Sequence, residues 1–228
     1  IAKNEIIGAE ALVRWRHPER GMIYPDQFIP IIEENGFIRK VDYYIWEEAC
    51  RFIKKCENAG LLPCPISVNV SRVHLRDDEC IQVLADMIKN NNISKELLEL
   101  EITESADNQQ VSMKALQLKE EGFTLLMDDF GSGYSSLNIL LETPFDVIKL
   151  DKKFMENMMV SSKGRLILEQ IVSMANKLEL GLLAEGVETK EQIEQLQSIG
   201  CDQVQGYYYA KPMPEEEFFA LLQKQQAG

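Results

Sequence analysis

Seven short stretches of this chain end on side chains able to do chemistry: Glu10, Asn69, Glu101, Asp128 with Asp129, Lys149, Glu185 and Gln205. A lone acid or amide at a strand end is most simply a solvated rim group or a loop cap. Several carboxylates gathered together are a different case, because two of them ~4 Å apart repel by roughly 4 kcal/mol at an effective dielectric of 20. Such a group must take up protons, pair with cations or bind metal. Lys149 alone does not balance the set, and a purely structural salt-bridge network would need more strand-end basic residues than the sequence supplies. With only two histidines, His17 and His74, a metal site here would be built from oxygen donors, which suit hard cations such as magnesium or manganese.

The adjacent aspartates sharpen this. Strand alternation sends Asp128 and Asp129 to different sides, so one could bridge two cations while the other holds only the second. Phe130-Gly131-Ser132-Gly133-Tyr134-Ser135-Ser136 follows at once. Gly-x-Gly alone marks a tight turn as readily as a mobile loop covering a site.

The elements that must position these groups are β-type runs at 6–15, 66–70, 97–103, 124–128, 147–150, 180–184 and 203–205, alternating with amphipathic helical stripes. Pro25 fits the first turn of a helix running to Glu34 with Gly36 as its stop, and Pro214 fits the start of the last helix. Strand then helix, repeated, predicts a mostly parallel sheet. In Ile66-Ser67-Val68-Asn69-Val70 and Leu98-Glu99-Leu100-Glu101-Ile102 one face is apolar and the other polar. An open sheet covered on both faces prefers continuous apolar strands, whereas a barrel tolerates inward polar groups at its carboxyl-terminal rim. The expected fold class is therefore α/β, a closed barrel.

The chain has 228 residues, 45% hydrophobic and 27% charged, with a formal net charge of −13. This composition excludes disorder, and the acid excess argues against wrapping a nucleic-acid polymer through phosphate contacts. Five scattered cysteines, none in a Cys-x-x-Cys pair, read as buried reduced thiols. No apolar run approaches a membrane span and no signal peptide is visible, so a single cytoplasmic domain over 1–228 is expected, without membrane insertion by this segment. Trp15, Trp46 and the nine methionines read as core residues, and His17 as a loop residue.

In order along the chain, the motifs Glu10-Ala11-Leu12-Val13-Arg14-Trp15, Ser67-Val68-Asn69-Val70-Ser71, Glu101-Ile102-Thr103-Glu104, Asp128-Asp129-Phe130-Gly131, Ile148-Lys149-Leu150-Asp151, Ala184-Glu185-Gly186-Val187-Glu188 and Gln205-Gly206-Tyr207 resemble those of the EAL-domain phosphodiesterases. These bacterial enzymes hydrolyse cyclic di-guanylate (c-di-GMP) to linear pGpG. The resemblance implies a (β/α)8 TIM-like barrel whose first strand is antiparallel. It implies two divalent cations, Mg2+ or Mn2+, with Ca2+ expected to inhibit. Glu10, Asn69, Glu101 and Asp128 look like ligands of one cation, and Asp128, Asp129 and Glu185 serve the second. Lys149 is similar to the family lysine near the attacking water, and Gln205 to the glutamine that helps set that water. Together with Glu185 they form the expected catalytic group. Leu12 and Arg14 look like substrate contacts, Arg14 toward a phosphate. Glu104 and Glu188 look like glutamates that hold the loop after Asp129 and orient the metal ligands.

A barrel of this kind typically needs about 250 residues and eight strands, and the strand bearing the family's Tyr-Gln-Pro segment is missing. It is expected to lie before Ile1, in a longer multidomain protein with fused sensory or cyclase domains. The family also implies a homodimer. Glu142 stands where the family often carries a basic residue, a change expected at the surface. Two other functions compete: a catalytically idle sensor that binds c-di-GMP, and a barrel enzyme using Lys149 as a Schiff-base lysine. The latter needs a neutral amine, which neighbouring carboxylates oppose.

Overall fold

The computed structural model describes residues 5–76, 79–103, 109–132 and 136–227. Its centre is a seven-stranded, all-parallel sheet in the order β1 (Ala9–Glu10), β4 (Ile66–Asn69), β5 (Leu98–Thr103), β6 (Thr124–Phe130), β7 (Val147–Leu150), β8 (Gly181–Ala184) and β9 (Gln203–Val204). The sheet is curled, because side chains at its two edges meet: Gln205 Nε2, just past β9, donates to Oε2 of Glu10 in β1 at 2.7 Å. This is a TIM-like barrel of seven parallel strands.

Residues paired in register share a face of a sheet. Glu10 pairs with Ser67, Asn69 with Glu101, Thr103 with Asp128, and Lys149 with Leu183. One face therefore carries the polar strand-end groups, and the other carries Val68, Leu98, Leu100, Ile102, Leu125, Met127, Ile148 and Leu150, all buried. α1 (Pro25–Glu34) packs on α2 (Ile38–Asn58), and that apolar face is covered by α2 together with α3 (Glu79–Asn91), α4 (Gln109–Glu120), α5 (Ser136–Glu142), α6 (Lys152–Met159), α7 (Ser162–Lys177), α8 (Lys190–Ser198) and α9 (Glu215–Ala227). Each fully buried Leu, Ile or Phe contributes about 1.5–3 kcal/mol, so the two-faced strands drive closure and leave the polar rows inside. Pro25 begins α1 as expected, and Thr189 with Gln192 forms a reciprocal capping box for α8. The five cysteines are buried and form no disulfide.

The run at 6–15 is not one strand. Only Ala9–Glu10 joins the sheet; β2 (Trp15–His17) turns back antiparallel against β3 (Gly21–Ile23) as a separate hairpin. His17 Nδ1 accepts from the Glu19 and Arg20 amides at 3.1 and 3.2 Å, and Gly21 at φ +72° allows the return. His17 thus ends a strand and caps its turn. The hairpin also takes Trp15 out of the core: it is 47% exposed, with its ring edge-on to Phe28, while Trp46 is fully buried. Met22 and Met113 are exposed as well, because each lies on an outward face.

Candidate active site

The polar row converges at the carboxyl ends of the strands around Lys149. Its ammonium lies 2.8 Å from Glu101 Oε1, 2.8 Å from Glu185 Oε1, 3.1 Å from Asp128 Oδ1 and 3.5 Å from Glu10 Oε2. Burial works against this charge, but the four carboxylates hold the lysine well above its ordinary value. Glu101 is pushed up to about 8, by burial first and then by Glu10 and Asp128, with Lys149 opposing. Glu185 rises to about 7, chiefly through burial. Asp129 is raised too, by burial and by the neighbouring Asp128. One lysine does not satisfy the cluster: apart from its ion pairs, no hydrogen bond among the described residues reaches either Glu101 oxygen or Asp128 Oδ1.

Asp129 is where strand alternation fails. Met127 pairs with Ile148 and Phe130 with Leu150, so β6 spends two residues, Asp128 and Asp129, opposite Lys149 alone. This bulge places Asp129 in the left-handed region at φ +57° and re-aims its side chain. Ligand oxygens of Asp128, Asp129 and Glu185 then lie within 4.8 Å of one another. The expectation that the two aspartates face different sides is corrected: the bulge turns both toward one pocket. Gly131 follows at φ +93°, and a Cβ there would sit 2.4 Å from the Phe154 ring. Only glycine lets the loop lie on α6 so closely. Asp151, joined through its amide to Phe130 O, caps α6 by accepting from Phe154 N at 2.9 Å.

Glu10 is held from two sides, by Gln205 and by Asn69, whose Nδ2 donates to Glu10 Oε1 at 3.4 Å. Gly206 makes the first possible, since a Cβ there would lie 2.1 Å from Val187 O. A cleft of about 310 Å³ opens beside Asn69, lined by Leu12, Ile29, Ile38, Val70, Arg72 and Thr103 among others. Arg14 Nη1 donates to Val13 O at 2.8 Å, away from the carboxylate cluster's own contacts. Glu188 is exposed and paired with Lys152 of α6. Glu142 is exposed. Glu104 and residues 133–135 of the glycine loop lie outside the described residues.

Thus the structure brings together Glu10, Asn69, Glu101, Asp128, Asp129, Lys149, Glu185 and Gln205. Sequence reasoning missed Trp46, Phe154 and Lys152 as supports of this site. Asp151 ahead of Lys152-Lys153-Phe154 was a readable N-cap signal; the Trp46 contact had no local signal, because its partner is a main-chain oxygen.

The fold is that of a cyclic-dinucleotide phosphodiesterase family. Residues 1–212 match the EAL domain family, and the chain belongs to it. Curated relatives include the oxygen sensor protein DosP of Escherichia coli, 37% identical over 94% of this chain and 27% of its own length. Another is the cyclic di-GMP phosphodiesterase NbdA of Pseudomonas aeruginosa, 36% identical over 94% of this chain and 28% of its own. The solved PaMucR phosphodiesterase in complex with c-di-GMP superposes with a TM-score of 0.86 at 34% identity, covering 94% of this chain and 88% of that one. The chain spans about a quarter to a third of the curated relatives' length. Among the described residues no helix is long and apolar enough to cross a membrane.

Proposed function

We propose that this domain hydrolyses c-di-GMP to linear pGpG with two divalent cations, Mg2+ or Mn2+, held by Glu10, Asn69, Glu101 and Asp128 on one side and by Asp128, Asp129 and Glu185 on the other. The observation that carries this reading is the carboxylate cluster at the barrel mouth, whose buried Glu101 oxygens and Asp128 Oδ1 have, among the described residues, no hydrogen-bond partner beyond the one lysine. An all-oxygen, anionic donor set of this kind fits hard cations. When bound, such cations supply Lewis acidity toward phosphoryl oxygens and a water acidic enough to attack phosphorus.

The chain's own residues do the rest. Asn69 and Gln205 fix the Glu10 carboxylate, so that its orientation does not depend on the substrate. Lys149 keeps a proton and a positive charge beside the position where the attacking oxygen and the phosphate come together, lowering the cost of adding an anion to an acidic pocket. Leu12 and Val70 wall the apolar cleft where one end of the dinucleotide would lie, and Arg14 offers a fork of donors to a phosphate. One P–O bond forms from water and one breaks, opening the ring.

A second reading has its own support. Lys149 already sits within 3.5 Å of four carboxylates, an internal cation that would suit an idle module binding c-di-GMP without turnover. The same contacts keep Lys149 protonated and speak against a Schiff-base enzyme. In the full-length protein we place the domain in the cytoplasm, fused to sensory or cyclase domains. The exposed Leu137 and Leu141 of α5 support a homodimer through that face.

Product analysis after incubation with c-di-GMP separates these readings. Linear pGpG in Mg2+ or Mn2+, its loss in Ca2+, and its absence in Asp128→Asn and Glu10→Ala proteins of unchanged circular dichroism are the expected results. Full activity in either variant would overturn the metal assignment, and tight binding without product at high enzyme concentration would establish the idle sensor.

A further inference from the structure

We infer that Trp46 is a positioning residue for Asn69, acting through the main chain. The need for one follows from the sheet. β1 runs beside β4 only as far as Glu10 opposite Ser67, and its last link is Ala11 N to Ser67 O at 2.9 Å. Asn69 lies two residues further on. On its β5 side the ladder continues, with Val70 N donating to Glu101 O at 2.9 Å. On its β1 side the neighbouring strand has ended, and the residue that holds Glu10 would have a carbonyl with no strand to accept from.

Trp46 takes the strand's place. It is fully buried on α2, and its Nε1 donates to Asn69 O at 3.0 Å. One helical turn earlier on the same face, Asp42 Oδ2 accepts from Ser71 N at 3.3 Å. That oxygen also lies 3.0 Å from Nε2 of the buried His74. The His74 ring in turn packs against Trp46 and Tyr43 at centroid distances of 4.7 and 4.9 Å. Two points of α2, spaced i and i+4, therefore grip the main chain on either side of Val70. Apolar packing alone is tolerant of small slips, whereas a buried donor that loses its acceptor pays a full desolvation penalty, so this grip selects one position for the Asn69 main chain.

The bland alternative is that Trp46 fills space and its N–H merely finds an acceptor, as buried indoles do. Trp46→Phe separates the two, since it keeps an aromatic ring and removes the donor. Benzothienylalanine at position 46, in a Trp15→Phe background, keeps the bicyclic volume without the donor should the phenylalanine variant fold poorly. The first readout is the side-chain amide spectrum of 15N-asparagine-labelled, metal-free protein, with the Asn69 pair assigned by its absence in Asn69→Ala. Loss of the donor should shift and broaden the Asn69 pair while the Asn91 pair, bonded to Met87 O, stays put. The second readout is Mn2+ binding by calorimetry, where roughly tenfold weaker affinity is expected. Trp46→Phe should add less than twofold in the Asn69→Ala background. An unmoved Asn69 pair, or effects that multiply in the double variant, would overturn the inference. The affinity readout rests on the metal-dependent reading above. Failure of the unaltered protein to bind Mn2+ would sink that reading, while the amide spectrum would still decide this one.

Discussion

Gln205 and Glu10, 195 residues apart, are joined by a 2.7 Å hydrogen bond from amide to carboxylate. Gln205 follows β9 and Glu10 ends β1, the two edges of the sheet, so one contact both closes the curled sheet across its open side and aims a candidate metal ligand. That double role makes the pair a sensitive place to test how the rim is assembled.

Gln205→Ala removes the donor while leaving the strand's main-chain bonds to Ala184 and Val187 intact. Outer partners of metal ligands typically contribute 10–100-fold in affinity or activity, so Mn2+ affinity should fall by about that factor. Gln205→Glu should be worse at neutral pH, because it sets a second carboxylate against Glu10. Calorimetric titration of the three proteins, with thermal melting as a control for folding, checks the order.

Stability of the metal-free protein should fall as pH rises. Glu101 at about 8 and Glu185 at about 7 bind protons in the folded state over a range where an unfolded glutamate, near 4.5, has released them. Native protein holding more protons than unfolded protein makes the slope of stability with pH negative. The contribution is fully present below about pH 4.5 and is lost as pH climbs through 7 to 8. A tenfold difference in proton affinity between folded and unfolded chains corresponds to about 1.4 kcal/mol, and 1 kcal/mol moves the melting midpoint by roughly 2–4 °C in a domain of this size. Melting between pH 5 and pH 8.5 should therefore show a falling midpoint, reversed by Mg2+ or Mn2+, which bind the ionised carboxylates. A rising midpoint in metal-free buffer would contradict the burial of these acids.

Gly131→Ala should be costly beyond its size. The residue has φ +93° and its new Cβ would press on the Phe154 ring, so left-handed strain and overpacking add to about 2–5 kcal/mol. Phe154→Ala in the same chain should recover the overpacking part but not the backbone part. Because Asp129 lies in the adjoining bulge, metal affinity should fall in Gly131→Ala even where the protein remains folded. Denaturant titration and Mn2+ binding measure the two effects separately.

Much of this protein was legible in the primary structure. The alternation in Ile66-Ser67-Val68-Asn69 and Leu98-Glu99-Leu100-Glu101 is local, and it alone established two-faced strands with their acids on a shared side. Pro25 at the head of α1 was equally local. The run at 6–15 misled because apolar residues continue past Glu10, while the turn at residues 17–21 that folds Trp15 back into a hairpin depends on contacts outside the run. What only the tertiary structure decided is register: that Asp128 and Asp129 share one pocket follows from β6 spending two residues against Lys149, a property of two strands together. The same holds for Trp46 on Asn69 and Gln205 on Glu10. Alternation is set within one segment by backbone geometry, whereas a bulge, a shared cation and a cross-barrel hydrogen bond exist only once distant segments have been brought into contact.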